Sequence, residues 1–446
     1  MSENSKHIVA AAWVVAVAGS VVAGAAIRDR IDLSGPGSGP KIENLVASRD
    51  NGDGVRPQTE IPAGDFFFDL TEKLKQEYVE PITDDAKLAS GAVRGMIGYL
   101  GDPKSIYMDK DEFRAYLKAR QGQYEGIGAD LEVLISQPNA KANRSVLQPT
   151  PTEEDSDPRQ QALAPGGASV PSFPRLTVTS VVPGGPADKA GVKAGDQVYS
   201  VDDHWIINGD LAARFYKAEK DFKAKSIPLS ALNDLRKEVR TKYERMLLPL
   251  RAKAKLFLGN AGVVKVVWDR PHVGQVTTSI ERAPSQRPGF TVNNDTINLP
   301  LTQGVPEQLH SALAGKSAVT IDLRNNTLGD FGVMRKCLAE LAPAGNYGYE
   351  ATDRNTTAKP TPLTVVNGNS KPPKITVLTD RTTRGAAEVL ALALSSKGVA
   401  KLSGNETGGS REVFDVVQLP DGSGYTLVTS RYRTQMDIKT AKVAKK

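Results

Sequence analysis

The stretch from Ile375 to Asp421 constrains this chain most, because it leaves one local architecture open. Ile375-Thr376-Val377-Leu378 is β-branched and apolar, Ala386 to Ser395 is built of strong helix formers, Gly398 stands where a helix stops, and Val399 to Leu402 resumes a strand composition. The order is strand, helix, strand. The turn from Asp380 to Gly385 therefore lies at the carboxyl end of a strand and the amino end of a helix. In an open α/β sheet, free N–H groups and the positive end of the helix dipole converge at such a turn, so ligands and reacting groups collect there.

Two motifs frame that unit. Upstream, Ala318-Val319-Thr320-Ile321-Asp322-Leu323-Arg324-Asn325-Asn326 reads as a strand that ends in a polar turn, and downstream Leu419-Pro420-Asp421-Gly422 is a second turn. In this frame the chain resembles the carboxy-terminal processing peptidases, or tail-specific proteases, which use a Ser/Lys dyad. The matching residues are Gly385 with Glu388 three positions on, the segment Gly404-Asn405-Glu406-Thr407-Gly408-Gly409-Ser410-Arg411, and the Leu-Pro-Asp-Gly turn in register. The resemblance assigns the family's nucleophilic Ser to Gly385 and its Lys to Ser410. A dyad needs a hydroxyl that attacks and an amine kept neutral to take its proton. Glycine has no side chain, serine is no such base, and the neighbouring Arg411 stays protonated.

A third element differs as well. Where the family has Pro-Gly-Gly after Asp-Leu-Arg-Asn-Asn, this chain has Thr327-Leu328-Gly329. The resemblance makes Leu328, Gly329 and Ala386 the oxyanion region, and a Leu in place of Gly puts close backbone approach there in doubt. The family's Gln after the dyad Lys falls at Phe414, which suits a filled cleft.

Gly126-Ile127-Gly128-Ala129, followed by Leu131 and Val133, looks like the carboxylate-binding loop and first groove strand of a PDZ domain. Small residues let successive N–H groups turn inward as an anion nest, while the next strand offers an edge to an extended peptide. The run Val181 to Asp196 is a long, specific match to the same pattern. Two insertions are expected in this PDZ domain (123–282): 137–174, rich in Pro, Ala, Ser and Gln with acids at Glu153, Glu154, Asp155 and Asp157, and 210–258. The second is amphipathic, broken at Pro228, with a stripe of Leu232, Leu235, Val239, Tyr243, Met246, Leu247 and Leu250 and with 13 basic against 6 acidic residues. Its expected form is a helical hairpin packed on the domain with a solvated basic face; the alternative is a basic face that meets an anionic membrane or an acidic partner.

The rest of the chain falls into order around these parts. Ile8 to Ile27 is a 20-residue apolar run without charge, long enough to span a bilayer as a helix, and reads as a signal anchor, or else a signal peptide, within residues 1–30. Residues 31–63 read as a tether, within which Asp50-Asn51-Gly52-Asp53-Gly54 is a turn rather than a calcium loop, since the distal Glu is missing. Residues 64–122 are helical in character, with Phe67, Leu70, Leu74 and Tyr78 at helical spacing and a second helix from Leu88 to Leu100. The segments Tyr78-Val79-Glu80-Pro81, Gly91 to Met96 and Gly101 to Met108 resemble the family's amino-terminal region, which helps build dimers. Residues 283–436 are the α/β core, crotonase-like (ClpP-like) by resemblance, and 437–446 a basic tail.

A net charge of +6 spread over 446 residues excludes no solvated face but carries no nucleic-acid motif. The single Cys337 excludes an intrachain disulfide and a Cys metal cluster, and its apolar periodic setting marks a packed thiol. No metal and no cofactor is expected. The four histidines lie in unrelated contexts. The expected function is that of a non-catalytic relative which binds peptide C-termini as a scaffold or regulator in the cell envelope, anchored on the periplasmic side. The alternatives are an active serine-type peptidase with a displaced dyad, using Thr382, Thr383 or Ser410, and a structural envelope protein with a vestigial groove.

Overall fold

The computed structural model describes residues 63–82, 84–135, 174–207, 209–352, 359–435 and 437. The apolar run Ile8 to Ile27, the Asp50 to Gly54 turn, nearly all of 137–174 and all of the basic tail but residue 437 lie outside them. The chain divides into two compact units, Met1–Tyr107 and Met108–Lys446. In the first, helices α1 (Ala63–Glu77) and α2 (Asp85–Tyr99) are joined at their ends by an ion pair between Lys75 and Asp85 at 2.8 Å. Asp84 caps α2 by accepting from the Lys87 N–H. Phe68, Tyr99 and Leu100 are exposed, and no residue of α2 is buried.

The second unit opens with α3 (Lys110–Arg120), started by a capping box of Asp109 and Glu112. Sequence pattern grouped this helix with α1 and α2, yet it buries Phe113, Ala115, Tyr116 and Ala119 in the second unit. Gly424 explains part of this. A Cβ there would meet the Phe113 ring at 2.4 Å, so glycine admits the ring.

The PDZ domain follows as strands β1 (Ala129–Ile135), β2 (Pro174–Val181), β3 (Gln197–Val201) and β4 (His204–Ile206), helices α4 (Gly209–Lys223) and α5 (Leu229–Glu244), strand β5 (Met246–Leu247), helix α6 (Pro249–Phe257), and strands β6 (Val263–Arg270) and β7 (Gly274–Glu281). The sheet runs β1-β2-β3-β4-β5, with β6 on β3 and β7 on β6. Pro228 breaks the helical pattern as expected, standing as the N-cap of α5. Leu232 and Val239 are buried, and Leu235, Tyr243 and Met246 gather with Val239 around Trp205. Leu250 departs from the expected stripe and is exposed. The boundary of the insertion also differs from expectation. Ala252 and Leu256 of α6 are fully buried against Ile127 and Leu131, so α6 belongs to the PDZ core and only α4 and α5 are additional.

The remaining domain is a layered α/β structure. Strands β8 (Thr291–Asn293), β9 (Thr296–Asn298), β10 (Ala318–Asp322), β13 (Lys374–Thr379) and β14 (Ala400–Gly404) form one sheet in that spatial order, antiparallel only at β8-β9. Helices α7 (Val305–Leu313), α8 (Phe331–Leu341) and α9 (Ala386–Ser396) belong to the crossovers that parallel pairing requires. Strands β11 (Gly345–Ala351), β12 (Thr361–Val365), β15 (Glu412–Gln418) and β16 (Gly424–Arg433) pair in a second, antiparallel sheet. Helix α9 is buried along almost its whole length, from Ala386 to Leu394, which accounts for its apolar composition on every face. Gly398, at φ 69°, ends it by donating to the Ser395 carbonyl while Val399 donates to that of Leu394. Cys337 is fully buried, and burial pushes its thiol up to about 12, as a packed thiol requires.

Candidate active site

The turn between β13 and α9 is held by side chains of its own. The Asp380 carboxylate accepts from the Thr382 N–H at 2.8 Å and from the Thr382 hydroxyl, which itself accepts from the Asn325 N–H at 2.6 Å. The Thr383 hydroxyl accepts from the Asp380 N–H and donates to the Leu323 carbonyl, both at 3.1 Å. Both threonine hydroxyls are therefore consumed in fastening the turn to the end of β10. Gly385 follows as the N-cap of α9, at φ 57° and ψ −128°. A Cβ there would meet nothing closer than the Thr327 carbonyl oxygen at 3.6 Å. Backbone angle rather than crowding is what favours glycine.

Gly385 and Ser410 are neighbours. The Gly385 N–H donates to the Ser410 carbonyl at 3.0 Å. The Ser410 N–H in turn donates to Glu388 Oε2 at 2.7 Å, one turn into α9, and the Ser410 hydroxyl donates to Glu412 at 3.3 Å. Ser410 is 1% exposed. Its backbone thus splices the segment before β15 onto the start of α9. Glu388 is equally buried, and burial holds its carboxyl above the usual range, opposed by the Ser410 N–H, by Arg411 and by the Thr407 hydroxyl. Arg411 Nε lies 3.6 Å from Glu388, so its guanidinium acts as a counter-ion.

Sequence reasoning missed the residue that dominates this place. Arg384, immediately before Gly385, is 1% exposed, and its guanidinium donates to the Gly408 carbonyl at 2.6 Å and to Glu132 of β1 at 3.0 Å. A Cβ on Gly408 would come within 2.4 Å of the Arg384 side chain, so the cation packs straight onto the glycine segment that precedes Ser410. The available signal was an arginine in an otherwise small and polar turn. Its partner Glu132, one residue of an alternating strand far away in sequence, gave none.

The turn from Asn325 to Gly329 forms the other wall. Asn326 is a hub: its amide nitrogen donates to the carbonyls of Leu299 and Leu323, its side-chain oxygen accepts from the Leu301 N–H, and its carbonyl accepts from the Arg384 N–H. A Cβ on Gly329 would meet Leu301 at 2.9 Å and Ala386 at 3.5 Å, so the close approach expected of the oxyanion region survives at that residue. Leu328 turns instead toward Ala119, Tyr124, Val182 and Phe257, whose contact it completes. The Ala386 N–H lies in the first turn of α9, where no intrahelical acceptor exists. Phe414 stacks edge-on against Phe331, ring centres 5.6 Å apart, and packs on the core. A second buried network joins this wall to the PDZ domain. Asp130 of β1 receives Arg287 at 2.9 Å, Tyr124 at 3.1 Å and the Thr327 hydroxyl.

The expected anion nest requires correction. Gly126, Ile127, Gly128 and Ala129 are all buried, and the first three N–H groups are already used. Gly126 donates to the Gly259 carbonyl at 2.7 Å, Ile127 to that of Leu256 at 3.0 Å and Gly128 to that of Glu125 at 3.4 Å. The carboxyl end of α6 thus occupies the place a peptide carboxylate would take. The physical reason is that helix-terminal carbonyls lack intrahelical donors and seek N–H groups as a carboxylate does.

Two outcomes follow from this geometry. With its folded value raised above the ordinary 4.5, Glu388 adds stability that is complete below that value and is lost as pH rises through the folded one. Urea unfolding at acid and neutral pH will show Glu388→Gln gaining on the wild type as pH rises, and parallel pH profiles for the two chains would refute the assignment. Removing the guanidinium takes its ion-pair partner from the mostly buried Glu132 carboxylate. Arg384→Met is therefore expected to cost about 3 kcal/mol, partly recovered by adding Glu132→Gln; a change under about 0.5 kcal/mol would show that the pair holds nothing.

Comparison with known proteins bears on this arrangement. Residues 296–443 match the model of peptidase family S41, residues 177–215 that of the PDZ domain, and residues 68–112 that of the activating protease CtpB N-terminal domain. The chain is 23% identical over 367 residues to carboxy-terminal processing protease CtpB of Bacillus subtilis, covering 81% of this chain and 62% of that one. Carboxy-terminal processing protease CtpA of the same organism is 24% identical over 389 residues, covering 84% and 67%. Against the solved photosystem II D1 C-terminal processing protease the TM-score is 0.48 at 21% identity, covering 84% of this chain and 83% of that one. With a match to peptidase family S41 and a match to the PDZ domain in one chain, this protein is similar over most of its length to the carboxy-terminal processing proteases.

Proposed function

We propose that this protein is a non-catalytic relative of the carboxy-terminal processing peptidases that binds peptides without cutting them, as a scaffold or regulator in the cell envelope. One observation carries the reading. Where a nucleophile and a base would have to meet, there is the backbone bond from the Gly385 N–H to the Ser410 carbonyl, with a glutamate on the Ser410 N–H and Arg384 packed alongside. The hydroxyls nearby are already committed: Thr383 is fully buried and donates to a carbonyl, and the Thr382 hydroxyl faces Asp380 and Asn325. Gly329 and the Ala386 N–H keep part of an oxyanion site, but donors alone supply no attacking group. A parallel sheet with helical crossovers beside an antiparallel sheet supports a crotonase-like description of the core.

Peptide binding rests on the PDZ domain, whose β1 lies at an edge of its sheet. Because the end of α6 fills the nest, binding depends little on a free carboxylate. The purified protein is expected not to cleave peptides ending in a free carboxylate and not to react with a fluorophosphonate probe. Cleavage by the wild type that disappears in a Thr382→Ala, Thr383→Ala, Ser410→Ala variant, or probe labelling at any of these residues, would overturn the reading in favour of a displaced dyad. In calorimetric titration one peptide and its amide are expected to bind within about threefold of each other. Preference for the acid above about tenfold would restore the open nest, and no binding of either would remove the peptide-binding half of the proposal.

The envelope location rests on the apolar run Ile8 to Ile27, read as an anchor that leaves the bulk of the chain on the periplasmic side. Among the described residues no helix is long and apolar enough to cross a membrane. Exposed Phe68, Tyr99 and Leu100 on the amino-terminal helices support pairing of two copies through that region. Cell fractionation is expected to recover the full-length chain with membranes, and its appearance in the cytosolic soluble fraction would sink the localisation.

A further inference from the structure

The helical hairpin α4-α5 is not used by anything described above. The hairpin, residues 209–244, holds 9 Lys and Arg against 6 Asp and Glu, a local charge of +3. Two of the hairpin's acids are paired away from the tip, while Glu219 and Asp221 stand among the α4 lysines. Glu238 is paired with Arg214 and Lys242, and Glu244 with Arg240. Lys217, Lys220 and Lys223 recur every third residue on α4, on one face, and with Lys225 in the turn they have no ion-pair partner among the described residues.

Apolar side chains stand among these lysines. Phe222 is 36% exposed and Leu229, the first residue of α5, is 51% exposed, although the hairpin had a buried seam available at Leu232 and Val239. The turn between them is ordered by its own backbone: Ala224 donates to Lys220, Lys225 to Phe222 and Ser226 to Asp221, at 2.8 to 3.0 Å. Lys225 takes a left-handed conformation to close it. The tip is therefore a preformed surface, about 12 Å along the α4 axis from Phe215, the last α4 residue packed on Trp205.

We propose that this tip docks on an anionic membrane surface, with lysines at the headgroups and Phe222 and Leu229 entering the interface. Charge complementarity selects an anionic partner, and each lysine near such a surface contributes appreciably to attraction. The two exposed apolar residues select lipid over an acidic protein, because lysines beside apolar side chains at a helix tip match the headgroup-to-acyl boundary. The inference concerns a surface apart from the active site and stands whether or not the protein is catalytic. An anchor at Ile8 to Ile27 would hold the tip near such a surface and raise its effective concentration there.

The test uses the full chain in vesicles with a reporter on the tip. Cys337 is the only cysteine and is buried, so Ser226→Cys can be labelled selectively with an environment-sensitive fluorophore. In vesicles with about 30 mol% phosphatidylglycerol the emission is expected to shift to the blue. The shift should be absent in pure phosphatidylcholine and be reversed by about 0.5 M salt. Lys220→Gln, Lys223→Gln and Lys225→Gln together should weaken tip engagement on the order of 100-fold. Phe222→Ser should reduce the shift itself. These residues are exposed, and an unchanged circular-dichroism melt confirms folding of each variant. No shift with anionic vesicles, or the same shift in phosphatidylcholine, would overturn the proposal. So would a response to polyglutamate without one to vesicles, which would point to an acidic protein.

Discussion

The fully buried guanidinium of Arg384 is the interaction on which the candidate site depends. A charge out of water is tolerated only when it is compensated, and here one carboxylate from the PDZ domain and one carbonyl from the glycine segment do so. The requirement acts in both directions. Glu132 fixes where β1 lies against the core, and Gly408 must remain without a side chain so that the cation can reach its carbonyl. Gly385 and Ser410, one on each side, are then joined through the backbone.

Around this centre the PDZ domain and the core share one polar seam. Asp130, two residues from Glu132 on the same strand, receives Arg287, Tyr124 and Thr327, and Arg287 also reaches Ser180 and the Asn325 carbonyl. Burial drives the Tyr124 hydroxyl far above its usual range, so it stays a neutral donor to the carboxylate. The same strand therefore anchors both the turn before Gly385 and the turn holding Leu328. Leu328, which costs the backbone a glycine, completes the apolar contact with Phe257 and Val182 at this seam. In this chain that position contributes to domain packing.

Much of the fold was legible because its signals are local. The strand Lys374–Thr379, the helix Ala386–Ser396, its stop at Gly398 and the strand Ala400–Gly404 follow from β-branching, helix propensity and a glycine at positive φ. The break at Pro228 was equally plain. Helix Lys110–Arg120 was harder to place, since its partner ring contact at Gly424 is more than 300 positions away.

By itself, the sequence determined which elements form, that the chain has a PDZ module and a peptidase-like core, and that neither Gly385 nor Ser410 carries the side chain a Ser/Lys dyad needs. Those facts reside in residue identity and short-range spacing. Tertiary structure alone decided that Arg384 is buried against Glu132, that helix Pro249–Phe257 belongs to the PDZ core, and that its end takes the N–H groups of Gly126 and Ile127. Donors and charges find partners by proximity in space. A sequence records that Gly126-Ile127-Gly128-Ala129 has N–H groups to offer, and only the packed chain shows which oxygens receive them.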